Sequence, residues 1–226
     1  MDYSYPEQWL DGMSKGEMIA AEIRLRIVDG TITPDTLLTE NQIAKEFNVS
    51  RSPVRDAFKL LKQDQLIHLE RMGAEVLPFD DNEKKELYDL RIMLESFAFS
   101  RIKPIMHNQI VNELRKQLEM MKVAVKFEDA EAFTEHDMKF HEVTIMASKH
   151  QYLKTCWNNL RPVMEALILL SMRKRMNENP KDFERIHQNH EVFIEAIANK
   201  DAHKLKEAFH LNFDDVGEDI ESFWLT

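Results

Sequence analysis

The chain has 226 residues, 43% hydrophobic and 31% charged, with a formal net charge of −10. That length buries one large core or two modest ones, and five glycines with seven prolines favour helices over a loop-rich all-β protein. No run approaches the ~18 apolar residues of a membrane span, and the acid surplus weighs against a nucleic-acid partner unless a basic patch is local, since screening confines charge effects to about 8–10 Å at cellular ionic strength.

The opening MDYSYPEQWLDG has neither a basic region nor an apolar stretch, so no secretory signal is expected and the cytoplasm is the expected compartment. Ser14 with Glu17 forms a capping-box pattern that opens a helix through Val28, closed by Gly30. TITPDTLL reads as a turn-rich connection. Thr39 with Gln42 starts a second, short helix through Phe47, with Ile43 and Ala44 on its inner side, and Asn48 is the turn residue after it.

Ser50 is the expected N-cap of a third helix. Pro53 then falls in its first turn, where the missing N–H costs nothing. Val54, Ala57, Phe58 and Leu61 make one stripe at i, i+3, i+4, i+7, which buries. Arg51, Arg55, Lys59 and Lys62 make another, which faces away. LIHLERMGAEVL reads as two short strands joined at Arg71-Met72-Gly73, with glycine supplying the turn. Three short helices and a hairpin are the layout of a winged helix-turn-helix, whose third helix enters the major groove with its N-terminal residues against base edges. There Arg51 or Arg55 can read guanine O6 and N7, and Ser52 can contact base or phosphate. The plainer alternative is a surface helix carrying solvated arginines.

EVLPFDDNEKK marks a join: a strand-like end, a proline, then acids where a helix begins. It divides the chain into residues 1–77 and an all-helical part, 78–226, of six or seven helices. In that part Leu87, Arg91, Leu94, Glu95 and Ala98 share one helix face. Arginine on an apolar face needs an anion: either Glu95, one turn on, or a bound carboxylate. Asp137 and His141, four apart, point the same way. With His190 they form either a metal site of carboxylate and imidazole ligands or a hydrogen-bonded core cluster. His187 and His190 form a rival i, i+3 pair. Cys156 sits on an apolar-rich helix and is expected to be buried. Pro162 interrupts the long helical stretch from Gln151 to about Met176 as a kink, VMEALILLSM beyond it is core or dimer surface, and NENPKD is a solvated loop.

VSRSPVRDAFKLL, preceded by LTENQIAKEF and followed by LERMGAEV, resembles the DNA-binding domain of the GntR family of bacterial transcription regulators. ELYDLRIMLESFAFSRI, HDMKFHEVTI and NHEVFIEAIANKDAHKLKEAF resemble the FCD effector domain of its FadR-like subgroup. The resemblance covers nearly the whole chain and implies a mainly α fold, an N-terminal winged helix-turn-helix and a C-terminal helical bundle. It implies a non-enzymatic, homodimeric repressor of a sugar-acid operon that binds double-stranded operator DNA. Arg51, Ser52 and Arg55 would contact bases and phosphates, and Gly73 would lie at the wing tip in the minor groove. Asn41 stands where the family often has arginine, and can still hydrogen-bond to the DNA backbone.

By the same resemblance a small carboxylate such as gluconate would bind Arg91 and release the DNA, and zinc or nickel would be held by Asp137, His141 and His190. The family's fourth ligand, a histidine, falls at Asn212, whose carbonyl is a weak ligand for either metal. His210 is two residues away and so turned by about 200°, which on the apolar pattern of Leu205, Ala208, Phe209 and Asn212 points it to solvent. Two rival readings stand beside this one: a family member answering to a fatty-acyl ligand or another carboxylate, and a metal-dependent hydrolase or lyase built on Asp137, His141 and His190.

Overall fold

The computed structural model describes residues 4–103 and 106–213, without the side chains of residues 202 and 209–213. The chain forms two compact units: Met1–Glu83 with Pro162–Leu170, and Lys84–Arg161 with Ser171–Thr226.

In the first unit a 3-10 turn, Glu7–Trp9, precedes α1 (Lys15–Val28), α2 (Glu40–Glu46) and α3 (Arg51–Gln63). The α1 capping box is present in both directions between Ser14 and Glu17, and Gly30 at φ +79° takes the left-handed position past the helix end. Thr39 caps α2 by accepting from the Gln42 N–H, and Asn48 turns the chain at φ 51°. Ser50 occupies the N-cap of α3 without a side-chain hydrogen bond, and Pro53 lies in the first turn. Val54, Ala57, Phe58 and Leu61 bury together against α1, where Ile19, Ala20 and Ile23 are also buried. Beneath them Arg24 of α1 gives Nε and Nη2 to Asp64 Oδ2 at 2.8 and 2.7 Å, tying α1 to the C-cap of α3. Burial pushes the Asp64 carboxyl up, with Arg24 opposing.

The hairpin of β2 (Ile67–Glu70) and β3 (Gly73–Val76) is antiparallel, with Glu70 opposite Gly73 and a two-residue tip, Arg71-Met72. A third strand, β1 (Leu37–Leu38), pairs antiparallel with the other edge of β3, giving the order β1-β3-β2. This corrects the reading of TITPDTLL as connection alone. Two residues are too few to show alternation, and the pairing depends on a partner nearly forty positions on. It also explains Gly73. At φ +152° a Cβ there would lie 2.2 Å from the Leu38 carbonyl oxygen, so only glycine lets β3 approach β1 so closely.

The second unit is built on α4 (Asp81–Arg101), α5 (His107–Lys126), α6 (Ala130–Ala147), α7 (Gln151–Glu178), α8 (Asp182–Asn199) and α9 (Ala202–Phe213), six helices among the described residues; the mid-part of α7 belongs to the first unit. At the expected join, Asp80 accepts from the Asn82 N–H and Glu83 accepts from the Asp80 N–H, capping α4. α5 packs on α6 and α8, and α8 on α9. The core is aromatic: Phe133, Phe140, Trp157, Phe183 and Phe193 are fully buried. Helix α7 runs on through Pro162. Cys156 is exposed, not buried as expected. The buried stripe of this stretch is Leu153, Trp157, Leu160 and Met164, and the cysteine lies about 70° from its centre, on the flank that meets solvent.

Candidate functional site

Two sites stand out, one in each unit. On the first, Arg51, Ser52 and Arg55 are all exposed at the N-terminal end of α3, followed by exposed Lys59 and Lys62, and Asn41 is exposed on α2. The apolar stripe fixes this orientation: once Val54, Phe58 and Leu61 face α1, the basic positions must face out. Arg55 gives its Nε to Glu40 Oε1 at 2.7 Å, and Arg51 Nε lies 3.9 Å from Glu40 Oε2. Lys59 reaches Asp56 at 2.8 Å. A basic stripe on an acidic chain is thus largely paired off within its own unit. Glu40 escaped the sequence reading because it lies eleven and fifteen positions from its arginines, with no local periodicity to link them. At the wing, Gly73 serves the β1 approach, and the outward residues at the tip are Arg71 and Met72, the latter 72% exposed.

The second site is buried and brings together Arg91 and Glu95 of α4, Asp137 and His141 of α6, and His190 of α8. Arg91 gives Nε to Glu95 Oε1 at 2.8 Å, and its Nη2 lies 3.9 Å from Asp137 Oδ2. Glu95 uses its other oxygen on His141 Nδ1, at 2.7 Å. Burial opposes the charge on Arg91, but Glu95 and Asp137 outweigh it and push the guanidinium pKa up. Burial likewise pushes the two carboxyls up, yet the hydrogen bonds and charges of His141, His190 and Arg91 hold Glu95 below its ordinary value and Asp137 well below its own. His141 is pushed down, by burial first and then by Arg91. Its Nδ1–H is donated to Glu95, and its Nε2 lies 4.0 Å from Asp137 Oδ1.

His190 is oriented in the same sense. Its Nδ1 donates to the Ile186 carbonyl at 2.8 Å, and its Nε2 faces Asp137 Oδ1 at 3.1 Å. Nδ1 carries a hydrogen, because a carbonyl only accepts. The short Nε2–Oδ1 approach then needs a proton or a cation between the atoms, since two lone pairs would repel. One ligand atom from each of Asp137, His141 and His190 lies within 4.8 Å of the others. Metal-binding histidines commonly hand their second ring nitrogen to a carboxylate or a carbonyl, and both do so here. One guanidinium against two carboxylates leaves a net negative charge for a cation to meet. The donor set fits a divalent metal with three protein ligands and an open position.

Other expected residues divide. His187 is not in this cluster; its ring lies at an angle to Phe133 and Phe183, and its buried Nε2 has no hydrogen-bond partner among the described residues. The side chains of Asn212 and His210 lie outside the described residues. Of the two partners considered for Arg91, Glu95 is present. The cluster's closure by Glu95 across α4 and α6 was the part the sequence did not reveal, since Glu95 and His141 are 46 positions apart.

Comparison with known proteins agrees with this layout. The profile described as "Bacterial regulatory proteins, gntR family" matches residues 15–76, and that of the FCD domain matches 86–214. The chain is 49% identical to the gluconate operon transcriptional repressor of Bacillus subtilis (strain 168), over 100% of this chain and 93% of that one. With the protein of the same name from Bacillus licheniformis the identity is 47%, over 98% and 91%. Among solved structures, E. coli McbR/YncC has a similar fold, with a TM-score of 0.61 at 19% identity, covering 90% of this chain and 97% of that one. The fold expected from the sequence is the one found. The chain belongs to the GntR family of bacterial regulatory proteins, as a member that joins the family's winged helix-turn-helix to an FCD domain.

Proposed function

We propose that this protein is a transcriptional repressor of a gluconate utilisation operon, released from its operator by gluconate or a closely similar sugar acid. The observation that carries the reading is the near-full-length identity of 49% to a gluconate operon repressor. The exposed Arg51–Ser52–Arg55 edge of α3 supports it on the DNA side. On the effector side stands the buried cluster around Arg91.

Residues 1–77 would read DNA and residues 78–226 would bind effector and pair two copies, placing two recognition helices in successive major grooves of a pseudo-palindrome. Arg51, Ser52 and Arg55 would contact bases and phosphates, Asn41 the DNA backbone, and the wing around Gly73 the minor groove. In the cell this happens in the cytoplasm. Arg91 offers a fixed guanidinium for the effector carboxylate, and its present partner Glu95 keeps it charged and oriented until that carboxylate arrives. Zinc or nickel would be held by Asp137, His141 and His190, with Asn212 at the place of a fourth ligand. When bound, the metal would supply a Lewis-acidic point for oxygen atoms of the effector. The trio is thus assigned to ligand holding, and catalysis is not part of the reading.

Effector binding would favour a form of the dimer whose heads no longer fit the half-site spacing. By linkage, DNA must weaken effector binding by the same factor. The test is a gel shift on the promoter region of the cell's gluconate operon, with the wild type and Arg55→Ala. A shifted band that Arg55→Ala weakens by about 1–3 kcal/mol is expected; equal binding by the two proteins contradicts the assignment.

A further inference from the structure

Glu40 is the first residue of α2, where an acid is favoured by the helix N-terminus alone. That role does not explain where its oxygens go. Oε1 accepts from Arg55 Nε at 2.7 Å, and Oε2 lies 3.9 Å from Arg51 Nε. One carboxylate thus sits between the two arginines of the recognition edge, and all three side chains remain open to solvent, at 27% exposure for Glu40, 54% for Arg55 and 58% for Arg51. The hydrogen bond from Arg55 lowers the Glu40 carboxyl from its ordinary value, so it is ionised at neutral pH.

A guanidinium held through Nε has its plane fixed while the two Nη groups point forward. Those two groups can meet guanine O6 and N7 in the bidentate manner. A phosphate is a different partner. It carries a full negative charge, it is best met by an arginine free to swing, and a carboxylate a few ångströms away repels it. Guanine offers only partial charges, so the same carboxylate costs it far less.

We propose that Glu40 is a specificity-determining residue of the DNA-reading face, one that holds Arg55 and Arg51 for base edges and penalises their use on phosphates. It acts through the arginines and is a positioning residue. The inference rests on the reading of the first unit as operator-binding. Lys59, held by Asp56, is restrained in a similar way, so the stripe as a whole has little attraction for DNA that lacks the right bases. An acidic chain can in this way carry a basic recognition helix without loading it on random sequence.

The experiment uses the full chain as wild type, Glu40→Gln, Glu40→Ala and Arg55→Ala. Fluorescence anisotropy measures binding to a duplex selected by the wild type from a random pool, and to a scramble of the same composition, across a salt series. Both Glu40 variants are expected to bind the scramble more tightly and to lose about tenfold in the selected-to-scrambled ratio. Their salt slope on the scramble steepens by about one, as an arginine is freed for phosphate. An unchanged ratio in both variants overturns the proposal. So does an equal loss on both duplexes, which marks a structural role. Glu40→Gln keeps the size and the acceptor, so the test survives if Glu40→Ala does not fold. A wild type that enriches no sequence, or that Arg55→Ala leaves unaffected, brings down the operator reading itself. A wild type that discriminates through Arg55, with Glu40 variants of unchanged ratio, brings down only this inference.

Discussion

His190 turns its Nε2 to within 3.1 Å of Asp137 Oδ1 while its Nδ1 is committed to the Ile186 carbonyl. With His141 held in the matching tautomer by Glu95, the two imidazoles and one carboxylate are set for a cation before any arrives. Protein freed of metal by chelation is therefore expected to melt higher when zinc or nickel is added. A hundredfold excess over Kd stabilises by about 2.7 kcal/mol. His190→Ala and Asp137→Asn should lose the shift. Melting curves with elemental analysis check this, and a wild type that neither shifts nor takes up metal stoichiometrically contradicts it.

Arg91 is the guanidinium that meets Glu95 and Asp137 in the buried cluster of the second unit. Removing it leaves Glu95 buried without its nearest counter-charge, and breaking such pairs costs about 3–5 kcal/mol. Arg91→Ala should lower the urea midpoint accordingly, with an unchanged m-value. Unfolding at the wild-type midpoint would mean that the Arg91–Glu95 pair is dispensable.

His187 gives the fold a pH dependence of defined sign. Burial first, then the charges of His190 and Lys122, push its pKa down to about 4. In the unfolded chain the ring takes a proton near pH 6.5. Between those values the unfolded state binds more protons, so stability falls as pH drops from about 6.5 to about 4, and this residue adds no further loss below that. His187→Phe, beside Phe133 and Phe183, should flatten that part of the Tm-against-pH curve. An unchanged slope in the variant would assign the dependence elsewhere.

Gly73→Ala should damage the wing. The φ of +152° costs a non-glycine residue about 1–3 kcal/mol, and the added methyl meets the Leu38 carbonyl as well. Thermal denaturation with the gel shift separates the effects: a lower Tm with weaker DNA binding is expected. Full stability would show that β1 can move aside without cost.

What the sequence made legible were the features written locally. The Ser14–Glu17 box, Pro53 in a first turn, the stripe from Val54 to Leu61, and the Asp137–His141 spacing each lie within one or two helical turns. What it hid were relations across long separations: Glu40 with Arg55, Glu95 with His141, and Leu38 with the backbone at Gly73. Cys156 shows the same limit at closer range. An apolar-rich helix still has an outer side, and one residue's step from Trp157 was enough to reach it.

The central claim is release of the protein from DNA by a sugar acid. Its most direct test titrates gluconate against the DNA complex, beside other sugar acids, fatty acids and simple carboxylates, with and without chelator. Release by gluconate at concentrations where the other carboxylates leave the complex intact, with the response reduced by Arg91→Lys and by chelator, is the predicted result. A complex that gluconate leaves intact, or one that a fatty-acyl ligand dissolves instead, would contradict it.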